Sequence, residues 1–248
     1  MIPRLITIPP SHYCEKARWA LKLCGVEYVE EGSPPLFHVP AVKSAGGKRS
    51  TPVLVTDDGV YADSTDILEY LDEREGLDWR PYPTDPELRR EAIELEEHFD
   101  TALGPHTRRL AYYYLMQHKD LFLSSVLAGV EGARRGLFRL ARPAVVFLMR
   151  KSMRIDDRGR DISLDKVRSI FAEVGDRLDV GSGYLVGGRF TAADLTFAAL
   201  GAPAVLPPAY GSPLPSLDEA PSELGGLIED FRATPAGEFI LRCYVEHR

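Results

Sequence analysis

Three short runs concentrate the chain's reactive side chains near helix and strand starts. Ser11-His12-Tyr13-Cys14-Glu15-Lys16-Ala17-Arg18 sets a hydroxyl, an imidazole, a phenol and a thiol side by side, directly after an apolar strand from Leu5 to Ile8. Thr51-Pro52-Val53-Leu54 puts a proline at the head of a second apolar strand. Ala62-Asp63-Ser64-Thr65 puts an acid and a hydroxyl at the head of a helix. A helix start offers free N–H groups and about half a positive charge, which favour a thiolate or a carboxylate placed there. Together the three runs could hold a molecule that carries both a thiol and a carboxylate. Each also has a plainer reading. Serine is a common helix N-cap, so Ser11 can be only that; Asp63, with Asp66 three residues on, can likewise be a cap. Cys14 is the conspicuous nucleophile, but Cys14, Ala17, Leu21 and Cys24 recur at helical spacing and form one apolar face. A free cysteine on such a face is an inert small hydrophobe with a raised pKa, so Cys14 is expected to be structural.

The elements that must position these residues follow from the pattern around them. A helix from about His12 to Cys24 stops at Gly25, and Glu27 to Glu31 has a short strand character. Residues 32–50, rich in Gly, Pro, Ser and Lys, predict loop with at most a short helix. Val53 to Val55 and Val60 to Ala62 flank the turn signal Asp57-Asp58-Gly59 and read as a hairpin. Ile67, Leu68 and Leu71 then return to helical spacing. Residues 76–85 read as a linker, after which Asp85 and Pro86 open a helix as cap and first-position proline. Its apolar stripe runs through Leu88, Ala92, Leu95, Phe99 and Ala102 and is expected to break at Gly104-Pro105. Beyond it only helical patterns recur. Phe190-Thr191-Ala192-Ala193-Asp194-Leu195 spells a capping box inside a hydrophobic staple, the start of a buried helix. The expected divisions are 1–75 α/β, 76–85 linker and 86–248 all-α.

Bulk properties exclude several function classes. With 248 residues, 44% hydrophobic and 27% charged, the chain has the make-up of an ordinary globular protein. A net charge of -7 argues against a general nucleic-acid binder. Three scattered cysteines form no disulfide framework, and no Cys/His spacing suits zinc, so no metal is expected. No basic-then-apolar leader and no transmembrane-length apolar run is evident, and a reducing, cytoplasmic location is the expectation. Residues 131–161 fit this picture least. Arg134, Arg135, Arg139, Arg142, Arg150, Lys151 and Arg154 surround Leu137, Phe138, Leu140 and Val145 to Met149. Such a basic amphipathic stretch could make peripheral contact with an anionic membrane. The favoured reading is a helix pair whose arginines snorkel or bridge carboxylates.

The first three runs, with Tyr184-Leu185-Val186-Gly187-Gly188 and Phe190 to Asp194, closely resemble the signatures of the glutathione transferase superfamily, in the halves of the chain where that family keeps them. The resemblance implies a thioredoxin-like βαβαββα domain followed by a helical bundle, and a homodimer. It implies glutathione as co-substrate, its thiol activated for attack on a small hydrophobic electrophile in a detoxifying transfer. Ser11 falls where serine- and cysteine-type members keep their catalytic residue, and Cys14 matches the second, unreactive cysteine of a Cys-Pro-Tyr-Cys motif. His12 departs from the proline frequently found at that point. Pro52 matches the cis-proline that lets Thr51 pair with the peptide. Ser64 would receive the γ-glutamyl carboxylate, Asp63 its ammonium, and Lys48 or Arg49 the glycyl carboxylate; Tyr13 lies beside the sulfur. Arg108, Tyr112 and Tyr113 are candidates for the electrophile wall. Two alternatives share the fold. One is a non-catalytic binder of a large apolar ligand in the interdomain groove. The other is a glutathione-dependent reductase, which would want a reactive cysteine at position 11.

Overall fold

The computed structural model describes residues 2–180 and 183–248. Strand β1 (Arg4–Thr7), helix α1 (His12–Leu23), strand β2 (Val29–Gly32), helix α2 (Val39–Ser44), strands β3 (Val53–Val55) and β4 (Val60–Tyr61) and helix α3 (Ser64–Asp72) form the α/β part. Its sheet runs β2-β1-β3-β4, with β1 parallel to β2 and antiparallel to β3, and β3 antiparallel to β4. Leu5 sits opposite Glu30 on one side and Leu54 on the other. The order is the thioredoxin-like one expected. Gly25, at φ +65°, ends α1 as a left-handed residue that a side chain would strain.

Eight α-helices follow among the described residues: α4 (Pro86–His98), α5 (Gly104–Leu115), α6 (Lys119–Val126), α7 (Ala133–Met153), α8 (Asp157–Val180), α9 (Ala192–Val205), α10 (Ser222–Arg232) and α11 (Pro235–His247). Asp85 caps α4 as the sequence predicts, accepting from the N–H groups of Glu87 and Leu88 at 3.0 Å each. The break expected at Gly104-Pro105 is not a break. Phe99–Leu103 forms a π-helical turn that carries α4 directly into α5; the Asp100 carbonyl, which the N–H missing from Pro105 would have met, accepts from the Tyr13 hydroxyl instead.

One core joins both halves. Leu5, Trp19, Leu54 and Ile67 from the α/β part pack in a single cluster with Phe99, Phe197 and Ile240 of the helical part. Helix α9 lies at its centre, with every side chain but Pro203 buried. Its start is held by Asp194, whose carboxylate accepts from the Thr191 N–H (2.8 Å), the Thr191 hydroxyl (2.8 Å) and the Leu185 N–H (2.7 Å). Asp194→Ala strands these donors in the core and is expected to cost about 2–4 kcal/mol. Burial raises the Asp194 pKa to about 6, above the unfolded value of about 3.9. A carboxyl raised on folding contributes most at low pH and loses that contribution as pH rises through 6. The melting deficit of the variant should therefore be larger at pH 5 than at pH 7.

Candidate functional site

Ser11 is the N-cap of α1, in extended conformation, and its Oγ accepts from the Cys14 N–H at 3.4 Å. A hydroxyl that accepts still has its own proton to donate. Ser11 and Thr51 both line a cavity of about 320 Å³ between the α/β part and the helices. The Thr51-Pro52 bond is cis, as expected. Ser11 is thus the N-cap of α1 and also borders the cavity.

His12 points away from solvent. Its Nε2–H donates to the Gly104 carbonyl at 2.8 Å and ties α1 to the start of α5. Burial, helped by the charge of Arg108, lowers its pKa to about 3, so the ring is a neutral pin between the two halves. This bond holds the turn where a proline ring is absent. Tyr13 makes a second such tie: its hydroxyl donates to the Asp100 carbonyl at 2.6 Å. The contact needs glycine at 104, where a Cβ would fall 2.3 Å from the Tyr13 hydroxyl. Tyr13 borders the cavity with its ring, but its hydroxyl is committed to the backbone.

Cys14 is wholly buried, and burial pushes its thiol pKa up. Cys24 and Cys243 are buried as well. A buried thiol with a raised pKa supplies little thiolate. Native protein is therefore expected to resist maleimide labelling on the time scale that labels a free thiol, with three equivalents taken up after denaturation. Rapid labelling of Cys14 in the native state would contradict this.

The other expected residues separate into two sets. Arg108, Tyr112 and Arg49 join Ser11, Tyr13 and Thr51 on the cavity wall. Tyr113 does not: it turns outward, donates to Asp157 Oδ1 at 2.6 Å, and carries the Arg160 guanidinium over its ring. Three consecutive helical residues point in three directions, so only one of the tyrosines could face the cavity squarely. Asp63, exposed, caps α3 by accepting from the Thr65 N–H at 3.1 Å, and the buried Ser64 donates to it at 3.4 Å. These two and the exposed Lys48 lie outside the cavity wall. The rest of that wall is apolar and comes mainly from helices the sequence left unassigned. Phe122, Met149, Met153, Leu206, Leu224 and Ile228 show only core-like helical spacing, a signal that does not distinguish a cavity from a core.

A buried charge network behind the site also escaped sequence reasoning. Lys16 of α1, fully enclosed, lies 2.7 Å from both Glu96 and Asp100. The Thr65 hydroxyl, with one proton to give, lies 2.8 Å from Glu96 Oε1 and 2.9 Å from Asp100 Oδ2, and the Tyr82 hydroxyl donates to Glu96. Burial alone would lower the Lys16 pKa, but the two carboxylates outweigh it and hold the ammonium charged. Asp100 stands in the π-helical turn, where the local geometry aims it at Lys16 while its carbonyl receives Tyr13. Among the described residues, no cluster of acids, histidines and cysteines suits a metal ion.

Residues 5–85 match the family model of the glutathione S-transferase N-terminal domain. The whole chain shares the fold of solved members. A possible glutathione S-transferase from Rhodopseudomonas palustris superposes with a TM-score of 0.61 at 17% identity, covering 100% of this chain and 95% of the other. Residues 5–85 thus carry a glutathione S-transferase N-terminal domain, and the chain as a whole has the fold of the glutathione transferases. Solved structures of similar likeness include a beta-etherase from Sphingobium sp. strain SYK-6 (TM-score 0.59, 18% identity, 98% and 99% covered). A glutathione S-transferase from Methylobacterium radiotolerans, solved with glutathione sulfonate, is another (TM-score 0.54, 19% identity, 96% and 94% covered). At these identities the likeness to the solved structures is one of fold. No curated protein sequence matches the chain significantly.

Proposed function

We propose that the protein is a glutathione transferase acting on small hydrophobic electrophiles. The carrying observation is that Ser11 stands at a helix N-terminus and on the wall of an otherwise largely apolar cavity. In this reading the glutathione sulfur lies at the α1 turn, where the Ser11 O–H donates to it and favours thiolate over thiol. The thiolate lone pair forms the new C–S bond to the electrophile, and the leaving group departs with its bonding electrons. Thr51 pairs with the peptide backbone, Ser64 and the start of α3 receive the γ-glutamyl carboxylate, and Asp63 receives the ammonium. Arg49, on the rim, is better placed for the glycyl carboxylate than Lys48. Arg108 and Tyr112 face the electrophile. Residues 1–75 thus hold the thiol peptide, 76–85 connect, and 86–248 form the electrophile wall of a cytoplasmic homodimer.

The buried Cys14 gives the reductase alternative no accessible thiol, which favours transfer. Isothermal titration tests the reading at its base. Glutathione is expected to bind with a Kd in the micromolar to millimolar range, and no heat at millimolar ligand would end it. Binding without turnover across a panel of electrophiles would select the non-catalytic binder instead.

A further inference from the structure

Helix α7 is amphipathic twice over. Its inner face buries Phe138, Val145 and Met149 against α6 and the loop after it, and places Met149 and Met153 on the cavity wall. Its outer face carries Leu137, Leu140, Phe147 and Leu148, each between 51% and 81% exposed. With Ala144 between them, these residues recur three and four apart and line one stripe. A helix face with four large exposed hydrophobics needs a partner or a function.

The charge beside that stripe points to the partner. From Ala133 to Ile155 the chain has seven Arg and Lys residues and no Asp or Glu, in a protein of net charge -7. The expected carboxylate bridges are absent: among the described residues, none of the seven cations makes an ion pair. Arg134 reaches the Ser33 hydroxyl, Arg135 the carbonyls of Leu127 and Val130, and Arg142 the Phe122 ring. Arg139 and Arg150 border the apolar stripe, Lys151 continues it by one turn, and all three are exposed. A symmetric contact between two copies through this face would set the same cations against each other. No described helix is long and apolar enough to cross a membrane.

We propose that the outer face of α7 docks on the surface of an anionic lipid bilayer. Leu137, Leu140, Phe147 and Leu148 enter the boundary between headgroups and acyl chains, and Arg139, Arg150 and Lys151 meet lipid phosphates. The same helix then has one face in the bilayer and the other on the cavity. Apolar compounds concentrated in the membrane would meet the enzyme where they accumulate. The docking itself does not depend on the transferase activity.

Vesicle flotation with the full chain tests this. The protein is expected to float with phosphatidylglycerol–phosphatidylcholine vesicles, to stay behind with pure phosphatidylcholine, and to be released as salt is raised. The triple variant Arg139→Gln, Arg150→Gln, Lys151→Gln should lower the partition coefficient about a hundredfold. The pair Leu140→Ser, Phe147→Ser should lower it at least about tenfold at unchanged charge. All five side chains point to solvent, and melting curves like the parent's confirm the fold. No flotation with anionic vesicles, equal partition into neutral ones, or an unaffected triple variant overturns the proposal. A dimer in sedimentation that Leu140→Ser dissociates, without vesicle binding, overturns it in favour of self-association.

Discussion

Ser11→Ala is expected to lower kcat/KM for glutathione conjugation by about 10²–10³-fold, the usual loss when one donor to a developing or held anion is removed. The methyl group leaves the cap bond from Cys14 unmade, but that bond is long, at 3.4 Å, and its loss costs only about 1 kcal/mol. The variant should therefore fold and still bind glutathione, with the deficit confined to the thiolate. The pH–rate profile separates this from a structural effect. If Ser11 holds the sulfur as thiolate, the bound thiol of the variant titrates closer to its free value of about 8.5, and rates recover as pH rises. Turnover within threefold of the parent at neutral pH would remove Ser11 from the mechanism.

The largest stability effect is expected at Lys16. Lys16→Met keeps the volume of the side chain and removes the cation from between Glu96 and Asp100, which then face each other inside the protein. Breaking a buried ion pair from one side costs about 3–5 kcal/mol, roughly 6–20 °C in Tm for a chain of this size. Burial already raises the Asp100 pKa, and loss of the ammonium beside it raises it further. Raised carboxyls are stabilising when protonated, so the deficit should shrink as pH is lowered from 7 to 5. Adding Glu96→Gln and Asp100→Asn to Lys16→Met should restore part of the loss by neutralising the stranded acids. A Tm change under 2 °C for Lys16→Met would show that the network carries little of the stability.

The two predictions differ in how far the sequence foreshadows them. The Ser11 turn and the Thr191–Asp194 box are local motifs: each is a few consecutive residues whose chemistry is expressed through nearby backbone, whereas the cis form of Pro52 follows from the family resemblance and not from the local sequence, which fits a trans proline as well. Such motifs are legible without knowing what packs above them, and the strands and helices that frame them follow from the same short-range patterns. Lys16 is different. In the sequence it is a polar residue in the first turns of a helix, and only the approach of α4, eighty positions later, makes it a buried cation. The role of His12 is hidden for the same reason, since its partner Gly104 belongs to another helix. The π-helical turn was unreadable because the glycine and proline that suggest a break are also compatible with an uninterrupted helix. Tyr113 was misassigned because three adjacent tyrosines give no sign of which one faces inward. The outer stripe of α7 was visible as residues, but whether its arginines had carboxylate partners could be decided only in three dimensions.

The shared core has a consequence for how variants of this protein should be compared. Trp19 of α1 packs against Tyr244 of α11, α1 lies along α9, and Leu54 of the sheet belongs to the same buried cluster. Neither half keeps its interior dry without the other. A substitution in the far helices, such as Asp194→Ala, therefore changes the population of molecules in which the Ser11 turn exists at all. A fall in measured rate for a distant variant can be a fall in the number of assembled sites, with each surviving site as fast as before. Heredity of the fold and tuning of the reaction are thus coupled through one cooperative unit.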